Sequence, residues 1–124
     1  MNLHKNYWIL ILIVFSLFIV AGCGSSPITV EIKYEVTGTV PSANITYQNF
    51  TGATDTLTGF ALPWSKTFTV TIDRHRSFHA HVRAGNSTTG SLTANIYVNG
   101  ILVRTSTNSG SFQLVSISYT IWNN

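Results

Sequence analysis

The sequence predicts an all-β protein: an antiparallel immunoglobulin-like β-sandwich of about seven or eight strands, placed behind an N-terminal signal segment. Three observations carry this reading. From Ile28 onward, apolar and polar residues alternate with a period of two, the pattern of half-buried strands. Gly, Asn and Pro punctuate those runs roughly every ten residues. Charged residues make up only 9% of the 124-residue chain, against 44% hydrophobic. That balance excludes a charge-rich disordered chain and disfavours a helical bundle, whose wet faces carry many Glu and Lys. The formal net charge is +3, and the length suits one domain.

The N-terminus differs from the rest in composition. Lys5 precedes an apolar run from Tyr7 to Ala21 that only Ser16 interrupts. A basic start followed by such a run has the form of a secretory signal, and the run is short of the about 18–20 residues that a spanning helix needs. Val20-Ala21-Gly22-Cys23 then resembles the lipobox of prokaryotic lipoproteins. Small residues let the extended chain enter a peptidase cleft, and the Cys thiol forms the thioether to diacylglycerol. Cys23 is the only cysteine, which excludes an internal disulfide and a Cys-cluster metal site. The expected organisation is a lipoprotein signal peptide over 1–22, a lipidated Cys23 with a flexible tether over 23–27, and a sandwich over 28–124. Two or three acyl chains, at about 0.8 kcal/mol per buried CH₂, would hold the mature protein on a membrane. The expected location is the extracytoplasmic face of a cell or outer membrane, with the lipid anchor at Cys23.

The strands follow in order. Ile28, Val30, Ile32, Tyr34 and Val36 alternate with Thr29, Glu31, Lys33, Glu35 and Thr37, and Gly38 to Ser42 ends that run. Ala43, Ile45 and Tyr47 alternate with Asn44, Thr46 and Gln48, and a weaker strand spans Thr54 to Phe60. Phe68, Val70 and Ile72 form the apolar face of the next strand. Phe78, Ala80, Val82 and Ala84 do the same opposite His79, His81 and Arg83. Leu92, Ala94, Ile96 and Val98 lead into Asn99-Gly100, two residues that tolerate positive φ and so predict a hairpin into Ile101 to Ser106. The last strand spans Ser111 to Trp122. Its apolar phase shifts between Leu114 and Val115, which implies a β-bulge there. No helix is expected after residue 22, and no internal repeat is visible.

Four segments in this order carry a family resemblance. They are Tyr34-Glu35-Val36-Thr37-Gly38-Thr39, Ala43-Asn44-Ile45-Thr46-Tyr47, Ala61-Leu62-Pro63-Trp64-Ser65-Lys66 and Ile96-Tyr97-Val98-Asn99-Gly100. Together they resemble the MmpS family of small actinobacterial membrane proteins, with Leu-Pro-Trp-Ser ahead of a Thr-rich strand as the most specific part. The resemblance covers roughly residues 30 to 120 and implies a β-sandwich outside the membrane, acting as an accessory partner of a lipid-exporting transporter. This chain departs from that pattern in two places. It has a lipobox where the family typically has a transmembrane helix, and it lacks the Cys pair often found in the sandwich.

Candidate chemistry is sparse. Arg74, His75, Arg76, His79, His81 and Arg83 form a basic segment. It suits an anionic partner such as lipid headgroups, wall polymer or a phosphorylated glycan, or else a solvated strand on which Arg discourages aggregation. His79 and His81, at i and i+2, share a strand face and would present two imidazoles to a metal, with His75 or Asp73 beside them. Without Cys or paired carboxylates the plainer reading is a wet strand, and no metal or cofactor is assigned. Trp64 reads as a core plug or a stacking platform, and Trp122 is equally open. Nucleic acid is not an expected partner, because the aromatic residues alternate with core positions rather than with basic ones. Catalysis has no motif to rest on: Lys33 sits between Glu31 and Glu35, and no nucleophile elbow or phosphate loop occurs. The expectation is a non-catalytic, lipid-anchored binding module that serves as an accessory partner of a membrane transporter for lipid-like substrates. The alternatives are a stand-alone binder of envelope glycan, lipid or metal, and a structural surface protein.

Overall fold

A computed structural model describes residues 26–124; the expected signal segment 1–22 and the expected lipidation site Cys23 lie outside the described residues. The strands are β1 (Ile28–Gly38), β2 (Ser42–Gln48), β3 (Thr54–Ala61), β4 (Trp64–Ile72), β5 (Arg76–Asn86), β6 (Gly90–Val98), β7 (Ile101–Gly110) and β8 (Gln113–Asn123). They form two four-stranded antiparallel sheets, ordered β4-β1-β6-β7 and β3-β2-β5-β8. The architecture is the predicted all-β sandwich. Its strand order is its own: β1 and β2 lie in different sheets, whereas the first two strands of a constant-type immunoglobulin domain are neighbours.

The order contains a repeat that the residues do not show. Replacing β1–β4 by β5–β8, and the reverse, turns one sheet into the other. Each half is a long hairpin folded over on itself. Its outer strands pair in one sheet (β1 with β4, β5 with β8), and its inner hairpin pairs in the other (β2 with β3, β6 with β7). The β1–β6 and β2–β5 ladders join the halves. Both inner hairpins are bulged, between Ala43 and Ile45 and between Ile96 and Tyr97.

Of the five crossings between sheets, four gather at one end of the sandwich and bond to one another, and the fifth, β4 to β5, lies at the other end. Leu62 N–H donates to Pro41 O at 3.0 Å, and Thr39 N–H donates to Ser91 O at 3.1 Å. Asn86 Nδ2 donates to Ser42 O. The Gln113 side-chain amide, fully buried, donates to Thr88 O at 2.6 Å and also to Gly110 O. The opposite end carries the β4–β5 turn, Ser26 and Asn123. Asn123 Nδ2 donates to Ser26 O at 3.1 Å and to Ile72 O at 2.9 Å, fastening the N-terminal segment to the last strand. At the predicted hairpin, Asn99 and Gly100 both take positive φ, 50° and 78°. Asn99 also clamps β1 by donating its N–H to Glu31 O and accepting Glu31 N–H on Oδ1, each at 2.9 Å.

The core lies between the sheets and is supplied by the alternating positions read from the sequence. Ile32, Tyr34, Val36, Ile45, Val82, Leu92 and Ile96 are fully buried. A run of aromatic contacts threads it. Trp64 packs on Tyr47 (5.2 Å between ring centroids), Tyr47 on Tyr34 (5.8 Å), Tyr34 on Phe68 (5.6 Å) and Phe68 on Phe78 (6.1 Å). Trp64 is therefore a core plug.

The expected bulge at Leu114/Val115 is corrected. The β5–β8 register runs unbroken from Arg76↔Asn123 to Asn86↔Gln113. The strand keeps its phase by burying Gln113 and exposing Leu114, because two crossing carbonyls need the Gln113 amide inside.

At Gly38 a Cβ would fall far inside van der Waals contact distance of Ser91 O, a backbone atom that cannot swing away. Gly38→Ala is expected to destabilise the domain by about 1–3 kcal/mol, since overpacking outweighs the few tenths gained from a stiffer unfolded chain. Urea unfolding of the two proteins measures it, and equal midpoints would refute the steric account.

Candidate functional site

The outer faces of the two sheets differ in charge. On the β4-β1-β6-β7 face, Glu35 gathers its neighbours. Asn95 Nδ2 donates to it at 3.0 Å and Tyr97 OH at 3.4 Å, while Lys33 lies 3.7 Å away. The Lys33 ammonium also stands 5.3 Å from the Tyr97 ring centroid. The Glu35 cluster is internally paired.

The outer face of β3-β2-β5-β8 takes the opposite parity of β5, namely Ser77, His79, His81, Arg83 and Gly85. Thr, Ser, Asn and Gln flank them on β2 and β8, and the central strands place no carboxylate among them. The His79 and His81 rings stack with centroids 6.4 Å apart and planes 10° from parallel. His79 Nδ1 bonds Thr120 Oγ1 at 2.9 Å, and His81 Nε2 bonds Ser116 Oγ at 3.1 Å. Partial burial, then the neighbouring His79 and Arg83 charges, push His81 below its ordinary pKa of 6.5.

Tyr34 sets the position of His81 from inside. The β2–β5 ladder ends at Tyr47↔Val82. One residue further, the Tyr34 hydroxyl enters from the other sheet, donating to Gln48 O at 2.9 Å and accepting His81 N–H at 3.3 Å. Burial pushes the Tyr34 pKa up to about 12, so the phenol stays neutral and keeps its donor.

Beside His81 lies a groove with a volume of about 460 Å³, within the usual range for small-ligand sites. Asn44 and Thr46 of β2 form one wall. Arg83 and Gly85 form the floor, and Phe112 and Leu114 form an apolar lip, 66% and 40% exposed. Gly85 keeps the floor open. Arg83 has no acidic partner: among the described residues the salt bridge is Lys33–Glu35.

The structure thus divides the predicted basic segment. His79, His81 and Arg83 share the outer face. Arg76 falls on the parity of Phe78 and Ala80 at the first position of β5, and Arg74 and His75 stand in the turn before it, with His75 in the left-handed region at φ 61°. No three His, Cys, Asp or Glu side chains among the described residues converge to hold a metal ion. Sequence reading missed the Phe112–Leu114 lip. The signal was present in the parity of Leu114 with Ser116 and Ser118, which a bulge would have cancelled.

No helix among the described residues is long and apolar enough to cross a membrane. The chain belongs to the Mycobacterium membrane protein family, whose model matches residues 26–118, from just after Cys23 to about halfway along β8. The MmpS-type resemblance therefore holds at the level of the family. No curated protein matches the chain.

The folded domain holds His81 below its ordinary pKa, so the unfolded chain binds more protons as pH drops under about 6.5. Stability from this group is complete above that pH and declines as pH falls through the folded-state value. Urea midpoints at about pH 7.5 and about pH 5.5 should move apart less in His81→Gln than in wild type, and equal displacement would acquit His81.

Proposed function

We propose that the protein is a non-catalytic binding module, anchored through Cys23 at the extracytoplasmic face of its membrane, that assists a membrane transporter for lipid-like substrates. The observation that carries this reading is the unpaired Arg83 guanidinium set beside the apolar lip of Phe112 and Leu114. A fixed cation next to exposed apolar surface suits one chemistry in particular: an amphiphile with an anionic head and a hydrocarbon flank, whether a lipid-like substrate or a segment of the transporter that handles it. Asn44, Thr46 and Asn86 offer hydrogen bonds around the head. Membership of a membrane-protein family and the lipobox-like Val20-Ala21-Gly22-Cys23 both support action close to a bilayer.

Cys23→Ser is expected to abolish incorporation of labelled fatty acid and to release the protein from membranes. Continued labelling would refute lipidation. A photo-crosslinking residue at Thr46 should capture a transporter component in native membranes, and Arg83→Ala or Gly85→Leu should diminish that capture. Capture of glycan or lipid alone would replace the transporter role with the stand-alone binder.

A further inference from the structure

The end of the sandwich that bears the tether carries a second set of exposed groups, separate from the groove. Trp122 is 61% exposed, on the same outer face as Leu114 but eight strand residues away, or about 26 Å. Arg76 opens β5 opposite Asn123, one residue from Trp122, and Arg74 stands in the turn before it. The turn is tied to β8 by His75 N–H, which donates to Asn123 O at 2.6 Å. Arg76 N–H donates to Asp73 O at 3.0 Å, which closes the turn. Asp73 is the only acid of this tip, and no salt bridge among the described residues engages either arginine.

The same tip holds the N-terminal segment. Asn123 Nδ2 binds Ser26 O and Ile72 O together, so Ser26 leaves the domain beside Trp122 and the turn. The apolar run ends at Ala21. Five residue steps separate it from Ser26 and span at most about 18 Å when fully extended. Whether that run anchors the chain itself or gives way to a lipid on Cys23, the tip lies within this reach of the bilayer. Cys23 makes the distance shorter.

From this placement we infer that the tip is a membrane-docking surface, with Trp122 entering the interface and Arg74 and Arg76 engaging the phosphates of anionic lipids. Indole suits the interface because its ring is apolar and its N–H is polar, and basic residues next to an anchor are drawn to anionic headgroups. Docking fixes the sandwich upright, with the groove facing sideways, clear of the headgroups. The inference rests on membrane anchoring alone and stands or falls separately from the groove.

Tryptophan quenching by brominated lipid tests it on the full chain. Trp8→Phe removes the indole of the apolar run, and Trp64 is buried in the core at the other end. In vesicles of phosphatidylcholine with phosphatidylglycerol, brominated acyl chains should quench Trp122 emission, and Trp122→Phe should remove the quenched component. Arg74→Gln with Arg76→Gln, both at exposed positions, should reduce quenching to near that seen in pure phosphatidylcholine. Arg83→Ala should leave it intact. Emission untouched by brominated lipid, quenching indifferent to the two arginines, or loss of quenching in the Arg83 variant would each overturn the assignment. Matching circular dichroism melts for all variants show that the readout reports docking and not unfolding.

Discussion

The Tyr34 hydroxyl is the contact through which the two sheets hold each other in place. It belongs to the central strand of one sheet and completes the ladder of the other, standing between Gln48 O and His81 N–H where β2 and β5 part. A phenol can do this because it donates and accepts at once, and its raised pKa keeps it able to do both. Its ring is also the middle of the aromatic run from Trp64 to Phe78, so the polar bridge is built on a fully buried, ring-packed part of the core. An unsatisfied buried hydroxyl would cost about 1–3 kcal/mol, which binds the spacing of the sheets to the position of this one oxygen. The backbone of His81 is pinned from within while its imidazole faces outward, and the cationic face inherits its geometry from the core.

Much of this was legible in the residues. Half-buried strands must alternate, so Ile32, Tyr34, Val82 and Ile96 announced the core, and Asn99-Gly100 announced its hairpin through the positive φ that both residues accept. Gln113 and Leu114 were not legible from hydropathy. Transfer free energy places Leu inside, and only the hydrogen-bond demand of Thr88 O and Gly110 O puts Gln there instead. The basic segment looked continuous along the chain because a turn closed by a left-handed His75 carries no strong sequence mark. Parity alone separates Arg76 from His79, His81 and Arg83.

The repeat of strand order escaped for a related reason. It is a property of pairing, and each half meets different demands. The crossings of the first half are closed by a backbone bond from Leu62 to Pro41, and those of the second by the side chain of Gln113. The outer faces have likewise diverged, one carrying the Glu35 cluster and the other an open groove. Symmetric topology thus carries asymmetric surfaces, one with a paired charge cluster and the other with an open groove.

The bond from Asn123 to Ser26 joins residues 97 positions apart. During synthesis Ser26 leaves the ribosome well before its partner on β8 has been made. The joint between tether and domain therefore closes late, after the chain between them has had the chance to pair. Until Asn123 has been made, Ser26 and Ile72 lack the amide that joins them, so this end of the sandwich is fixed only after the strands between have been synthesised.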